Sequence, residues 1–291
     1  MCLDISFKVD KEEDSLYDYL PNLKIDPQLS FEFENIAHIA AHSRPDTKII
    51  YTNHDSLPCL TLMRWGLLKA YMFKDAASFK KYAFNSFNAR AESIMDPRST
   101  WYPIRKNRCL IDTPGIYEHR KINGWKNKVP YYVRLANHKR FLIPALYYYL
   151  QLHEEDLQRI KAINDRYMLE AINKVINFET GEVRGTYAMI TREANTKMSL
   201  IHNDGTNKNR MPLFLPPEKA VNWINPALTD DDIKEILSYK MASDEIEAWP
   251  VFTIRSDKQR PDQKEKFEPF QWQGLPELGN DDPMEPQQSL F

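Results

Sequence analysis

Cysteine is scarce in this chain, with three residues in 291, at positions 2, 59 and 109. So few, so widely spaced, they supply neither a disulfide framework nor a zinc-ligand pattern, and they fit a reducing cytoplasm. Net charge is nearly absent too. A formal charge of -2 gives no global nucleic-acid signature, so any such binding has to use a local basic patch. Long apolar runs are missing. The N-terminus MCLDISFKVDKEED has no signal-peptide core, and no stretch approaches the roughly 20 apolar residues of a membrane helix. No internal repeat is evident. These absences predict a cytoplasmic, globular protein with no membrane partner, and nothing in them implies a metal or a cofactor.

What is present is enough for a sizeable core. An apolar content of 42%, rich in Trp, Tyr and Phe, suits a mixed β core or stacking surfaces, in one large domain or two small ones. Residues 36–68 alternate short β-like runs such as Lys48-Ile49-Ile50-Tyr51 with turn residues and predict two or more strands, ending at Met63-Arg64-Trp65-Gly66-Leu67-Leu68. Cys109-Leu110-Ile111 reads as a buried strand leading through Pro114-Gly115 to a second short strand bearing Glu118. Residues 130–151 predict a hairpin of two strands around Ala136-Asn137-His138. Apolar residues at Leu157, Ile160, Ile163, Leu169, Ile172, Val175 and Ile176 predict one long amphipathic helix over 154–177. Thr186–Thr191 reads as a strand, and Thr229 followed by Asp232 as the capped start of a helix over about 230–241. From about 256 the chain turns rich in Pro, Gln and charge, which predicts a tail lying along the domain at first and loose towards its end.

The chemistry begins at Cys2. If Met1 is removed, one residue carries both a thiol and an α-amine, with reference pKa values of about 8.5 and about 7.7–8.0. The two nucleophiles attack an aldehyde in sequence: the amine forms an imine, and the thiol closes it to a five-membered thiazolidine. Further along come Asn88 and Arg90, then Glu118, then His202 with Arg210. Each alone is a common surface or structural residue.

Together and in this order, Cys2, Trp65-Gly66-Leu67, Asn88-Ala-Arg-Ala-Glu92, Arg108-Cys-Leu-Ile…Gly-Ile-Tyr-Glu118 and Ile201-His202…Arg210-Met-Pro212 resemble the SRAP family (SOS response-associated peptidase domain), from residue 2 to about 240. The resemblance implies an α+β fold: a single domain over 1–255 with a curved, barrel-like β core flanked by helices. The 154–177 helix would be an insertion and 256–291 a C-terminal tail. It also implies a groove for single-stranded DNA and a sensor of abasic sites that forms a covalent thiazolidine crosslink through Cys2. By the same resemblance, Asn88 would hold the α-amine or the sugar, and Glu118 would accept the amine's proton or stabilise the iminium. His202 would move protons on the sugar oxygen, Arg90 and Arg210 would clamp phosphates, and Trp65 would stack on a flanking base. The family pattern has Gly and a basic residue after Cys2. Here Leu3 and Asp4 follow, and Asp4 would repel a neighbouring phosphate.

Two other functions fit the same residues. In a cysteine peptidase or amidohydrolase, Cys2 attacks an acyl group with His202 as base and Asn88 at the oxyanion, and self-removal of Met1 is a minimal version. In a DNA or clamp adaptor there is no chemistry at all. The last five residues, with Gln287, Leu290 and Phe291, resemble the short peptide by which bacterial polymerases and repair proteins dock on the β sliding clamp.

Overall fold

The structure, a computed structural model, describes residues 3–8, 15–26, 29, 36–83, 85–137, 140–162, 165–173, 183–255 and 258–283. Cys2 and the clamp-like residues 287, 290 and 291 lie outside the described residues. Thirteen strands are found among those described: β1 (Asp4–Ser6), β2 (Lys24–Ile25), β3 (Ile39–Ala40), β4 (Asp46–Thr52), β5 (Pro58–Trp65), β6 (Asn88–Arg90), β7 (Arg108–Thr113), β8 (Gly115–Arg120), β9 (Val129–Leu135), β10 (Phe141–Tyr149), β11 (Gly185–Glu193), β12 (Arg210–Pro212) and β13 (Ile246–Pro250).

They form two sheets. The larger runs β12-β11-β10-β7-β4-β5-β2, and the smaller runs β13-β9-β8-β1-β3. In the larger sheet β11 also reaches β5, which closes a ring through β10, β7 and β4. That closure consists of two parallel pairs, Thr186 with Arg64 and Tyr187 with Trp65, so the expected barrel-like core is ring-like rather than a fully closed barrel.

The central strands show why Cys109-Leu110-Ile111 reads as continuously buried. Side chains alternate faces along a strand, and here both faces are covered. Cys109 and Ile111 join Ile49, Ile143 and Met189 in a core that also takes Ile5, Ile116 and Val133 from the smaller sheet. Leu110 joins Ile50, Leu142 and Ile190 in a second core, closed by Trp223, Ile233 and Leu237. The last three come from the helices Pro217–Trp223 and Asp230–Ser238, the latter started by a Thr229–Asp232 capping box as its sequence predicts.

Two local expectations are corrected. The segments 129–135 and 141–149 are strands, but not a hairpin. β9 pairs with β8 and β13, whereas β10 pairs with β7 and β11, so the chain changes sheet between them. The single helix over 154–177 is two helices, Glu154–Ala162 and Arg166–Asn173. The break falls at Asp165, whose carboxylate accepts the Met168 N–H at 3.0 Å and so caps the second helix. These helices, together with Ala76–Ala83, enclose a third, smaller core around Phe73, Phe79, Ile160 and Met168.

Candidate active site

A cleft of about 660 Å³ opens over the end of the smaller sheet. Its wall includes Leu3 and Asp4 from the start of the chain, Glu118 and His119 from β8, His202, the loop 204–207, Lys128 and Arg255. β8 lies between β9 and β1, and β1 runs antiparallel to it with Asp4 opposite Tyr117. Leu3 therefore enters the cleft beside Glu118.

Glu118 is buried, and among the described residues its Oε1 accepts no hydrogen bond. Burial pushes its carboxyl up to about 7, with the nearby negative charge of Asp4 adding to the rise. A carboxyl poised near neutral pH can both accept and return a proton. His202 is the C-cap of the helix Thr196–Ile201, and burial brings its ring down from 6.5 to about 4, leaving the imidazole neutral at pH 7. Its Nδ1–H donates to the Arg210 carbonyl at 2.9 Å, which places the lone pair of the neutral ring on Nε2. The cleft thus holds an acid–base pair with well-separated pKa values.

The two motifs that carried the resemblance are joined physically. The Arg210 guanidinium makes a bidentate pair with Glu92, at 2.7 and 2.9 Å, and also donates to the Thr191 carbonyl. Arg210 is therefore a strut that ties β12, and through its carbonyl His202, to the 88–92 segment. Asn88 is buried on β6, which pairs in parallel with β11. Two residues on, and so on the same side of β6, exposed Arg90 donates to Asn207 at 2.9 Å, placing a cation at the cleft rim.

Trp65 is not at the surface. It is fully buried, stacks on Tyr187 with ring centroids 6.1 Å apart, and donates its indole N–H to the Phe87 carbonyl. Its expected stacking on a DNA base is corrected accordingly. A large aromatic flanked by two strands of the ring finds more apolar partners inside it than outside.

Sequence reasoning missed a set of residues around Asp4. The carboxylate of Asp4 accepts hydrogen bonds from His38 at 2.8 Å and from both Nε and a terminal nitrogen of Arg255. Burial opposes its ionisation, but those bonds outweigh burial and hold the carboxyl below its ordinary value. The expected repulsion of a phosphate is therefore compensated, because Arg255 brings a half-exposed guanidinium to the same wall. No sequence signal could have found this pairing across 251 residues. Among the described residues no group of three or more His, Cys, Asp or Glu is arranged to hold a metal ion, and no helix is long and apolar enough to cross a membrane.

Fold and cleft together define a mixed α/β protein with a buried acid–base pair beside the start of its chain. A family model described as SOS response associated peptidase (SRAP) matches residues 27–255, and the chain belongs to that family. Abasic site processing protein YoqW of Bacillus subtilis strain 168 is 26% identical over 192 residues, 66% of this chain and 69% of that protein. Abasic site processing protein HMCES of Pongo abelii is 28% identical over 178 residues, 56% of this chain and 44% of that protein. A crystal structure of a protein from Bacteroides thetaiotaomicron superposes with a TM-score of 0.60 at 22% identity, covering 92% of this chain and 97% of that one, and shows the shared fold.

Proposed function

We propose that this protein senses abasic sites in single-stranded DNA and traps them as a thiazolidine at Cys2, once Met1 has been removed. The observation that carries this reading is Glu118: a buried carboxyl near neutral pKa, with an oxygen that accepts no hydrogen bond among the described residues, beside Leu3 and in one cleft with a neutral His202. The names of the relatives, abasic site processing proteins, support the substrate.

The chemistry balances as follows. Neutral His202 accepts the anomeric hydroxyl proton as the sugar ring opens, and the ring oxygen is protonated, leaving an aldehyde at C1′. Glu118 takes a proton from the α-ammonium of Cys2, and the free amine adds to the aldehyde carbon. Glu118 returns that proton to the departing hydroxyl, and loss of one water gives an iminium, which the re-ionised Glu118 stabilises by opposite charge. The Cys2 thiolate then closes the C–S bond. The net change is aldehyde plus aminothiol to thiazolidine plus one water. Asn88 holds the amine or the sugar, and Arg90 and Arg255 neutralise phosphates at the rim.

Intact mass spectrometry before and after mixing with single-stranded DNA carrying one abasic site tests this directly. The expected result is a mass lacking Met1, then a heat-stable protein–DNA adduct that is absent in Cys2→Ala. A mass lacking Met1 with no adduct would reject the crosslinking reading in favour of a cysteine peptidase or an adaptor. N-acetylation separates the chemistries, since only the thiazolidine needs a free α-amine. The C-terminal residues Gln287, Leu290 and Phe291 would dock on a β sliding clamp, with Leu and Phe in an apolar pocket and Gln at its rim. Deleting 287–291 should abolish clamp binding in a pull-down with purified clamp, and unchanged binding would end that idea.

A further inference from the structure

The family match ends at residue 255, yet the chain returns to the site well beyond it. Arg120 stands on β8 two residues after Glu118 and is completely buried. A guanidinium has five N–H donors, and here every one has an acceptor. Nε donates to Asp281 Oδ1 at 3.0 Å, one terminal nitrogen to the Tyr131 hydroxyl and the Pro276 carbonyl at 3.1 Å each, and the other to the carbonyls of Glu277 and Asn280 at 2.7 and 2.6 Å. Four of those five acceptors come from residues 276–281. A buried cation left without such partners would be strongly unfavourable, so Arg120 binds this segment wherever β8 is formed.

Asp281 then reaches the other half of the site. Its Oδ2 accepts from Asn203 Nδ2 at 2.9 Å, and Asn203 is the residue after His202. The same Asn203 amide pairs with the backbone of Lys121, accepting from its N–H at 2.8 Å and donating to its carbonyl at 2.9 Å. The Asp281 carbonyl accepts from the Asn123 N–H at 2.8 Å. One carboxylate thus bridges the strand of Glu118 and the loop of His202.

We propose that residues 276–281 form a strap that is part of the catalytic site, with Asp281 and Asn203 as positioning residues that set His202 against Glu118. The strap deepens the function proposed above and rests on that reading for its kinetic consequence. It acts through geometry alone. Among the described residues Asn203 meets this part of the chain at Lys121, the residue just after β8, and the strap clamps that anchor from outside. Misplacing an acid–base group by about 1 Å is enough to cost a hundredfold in rate.

The test uses the full chain with Asp281→Asn and Asn203→Ala, and reads three quantities. The first is the rate of adduct formation across pH 4–9. The second is non-covalent affinity for single-stranded DNA without a lesion. The third is the titration of the His202 ring by NMR, which needs no DNA. Each variant should slow crosslinking about ten- to a hundredfold while leaving non-covalent affinity within about twofold. The ring, loosened towards water but still faced by Lys128 and Arg210, should titrate above the value of about 4 imposed by burial. Loss of stability by itself would not move that titration in the folded protein. If the wild type crosslinks and both variants keep its rate, pH profile and His202 titration, the strap is only a cover and the proposal is overturned. If the wild type forms no adduct, the functional reading fails, and the His202 titration still decides the strap.

Discussion

At the scale of single residues, the site depends on two groups displaced in opposite directions by the same cause. Burial raises a carboxyl and lowers an imidazole because both respond to loss of water around the charged form. In the proposed reaction Glu118, at about 7, is the group whose ionisation limits amine activation. The crosslinking rate should rise with pH through about 7 in the wild type, and Glu118→Gln should flatten that limb and slow the reaction about 10²- to 10⁴-fold. A Gln variant with an unchanged pH–rate profile would remove Glu118 from the proton path. Arg90 plays a different part, since it is exposed at the rim and its guanidinium donates to Asn207. Arg90→Ala should weaken non-covalent binding to single-stranded DNA and reduce the slope of log K against log salt by about 0.7, the contribution of one phosphate contact. Normal binding with an unchanged slope would place the DNA path elsewhere.

At the scale of elements, β11 holds the ring together. It pairs with β10 and β12 along the sheet and with β5 and β6 in parallel. Trp65 ends β5 at this junction, and Gly66 follows with φ of 105°, a conformation that strongly favours glycine. Trp65→Ala should therefore cost about 3–5 kcal/mol of stability by leaving a cavity between β5 and β11, with little change in DNA affinity per folded molecule. Denaturant unfolding and a binding titration on the same sample check both halves. A specific loss of DNA binding at full stability would restore Trp65 to the interface. The strands themselves were legible because apolar runs such as Cys109–Ile111 and Thr186–Thr191 are bounded by turn residues. Their partners were not legible. The chain leaves β9 for another sheet before β10, and local periodicity carries no information about which edge a strand will join.

At the scale of the whole molecule, the cleft sets a pH dependence of stability. The unfolded Glu118 ionises near 4.5 and the folded one near 7, so between those values only the folded state holds the proton and stability falls as pH rises. His119 and His202 act in the opposite sense. Burial lowers both from 6.5 to about 4, so stability falls as pH drops through that window. The stability difference between Glu118→Gln and wild type should therefore grow by roughly 3 kcal/mol from pH 4.5 to 7 and then level off. Urea midpoints of both proteins across that range measure it, and a constant difference would mean that Glu118 is not buried as described.

The sequence by itself determined the family. Asn88, Arg90, Glu118 and His202 could be singled out in advance because short motifs keep such residues at fixed spacing, and the family they pointed to is the one the chain belongs to. Tertiary structure decided what each residue faces. It took Trp65 into the core, bound Arg210 to Glu92 and matched Asp4 with Arg255 across 251 residues. It also brought Asp281 between the strand of Glu118 and the loop of His202. Spacing along a chain constrains neighbours within a few residues, whereas burial and ion pairing depend on which distant surfaces the sheets bring into contact.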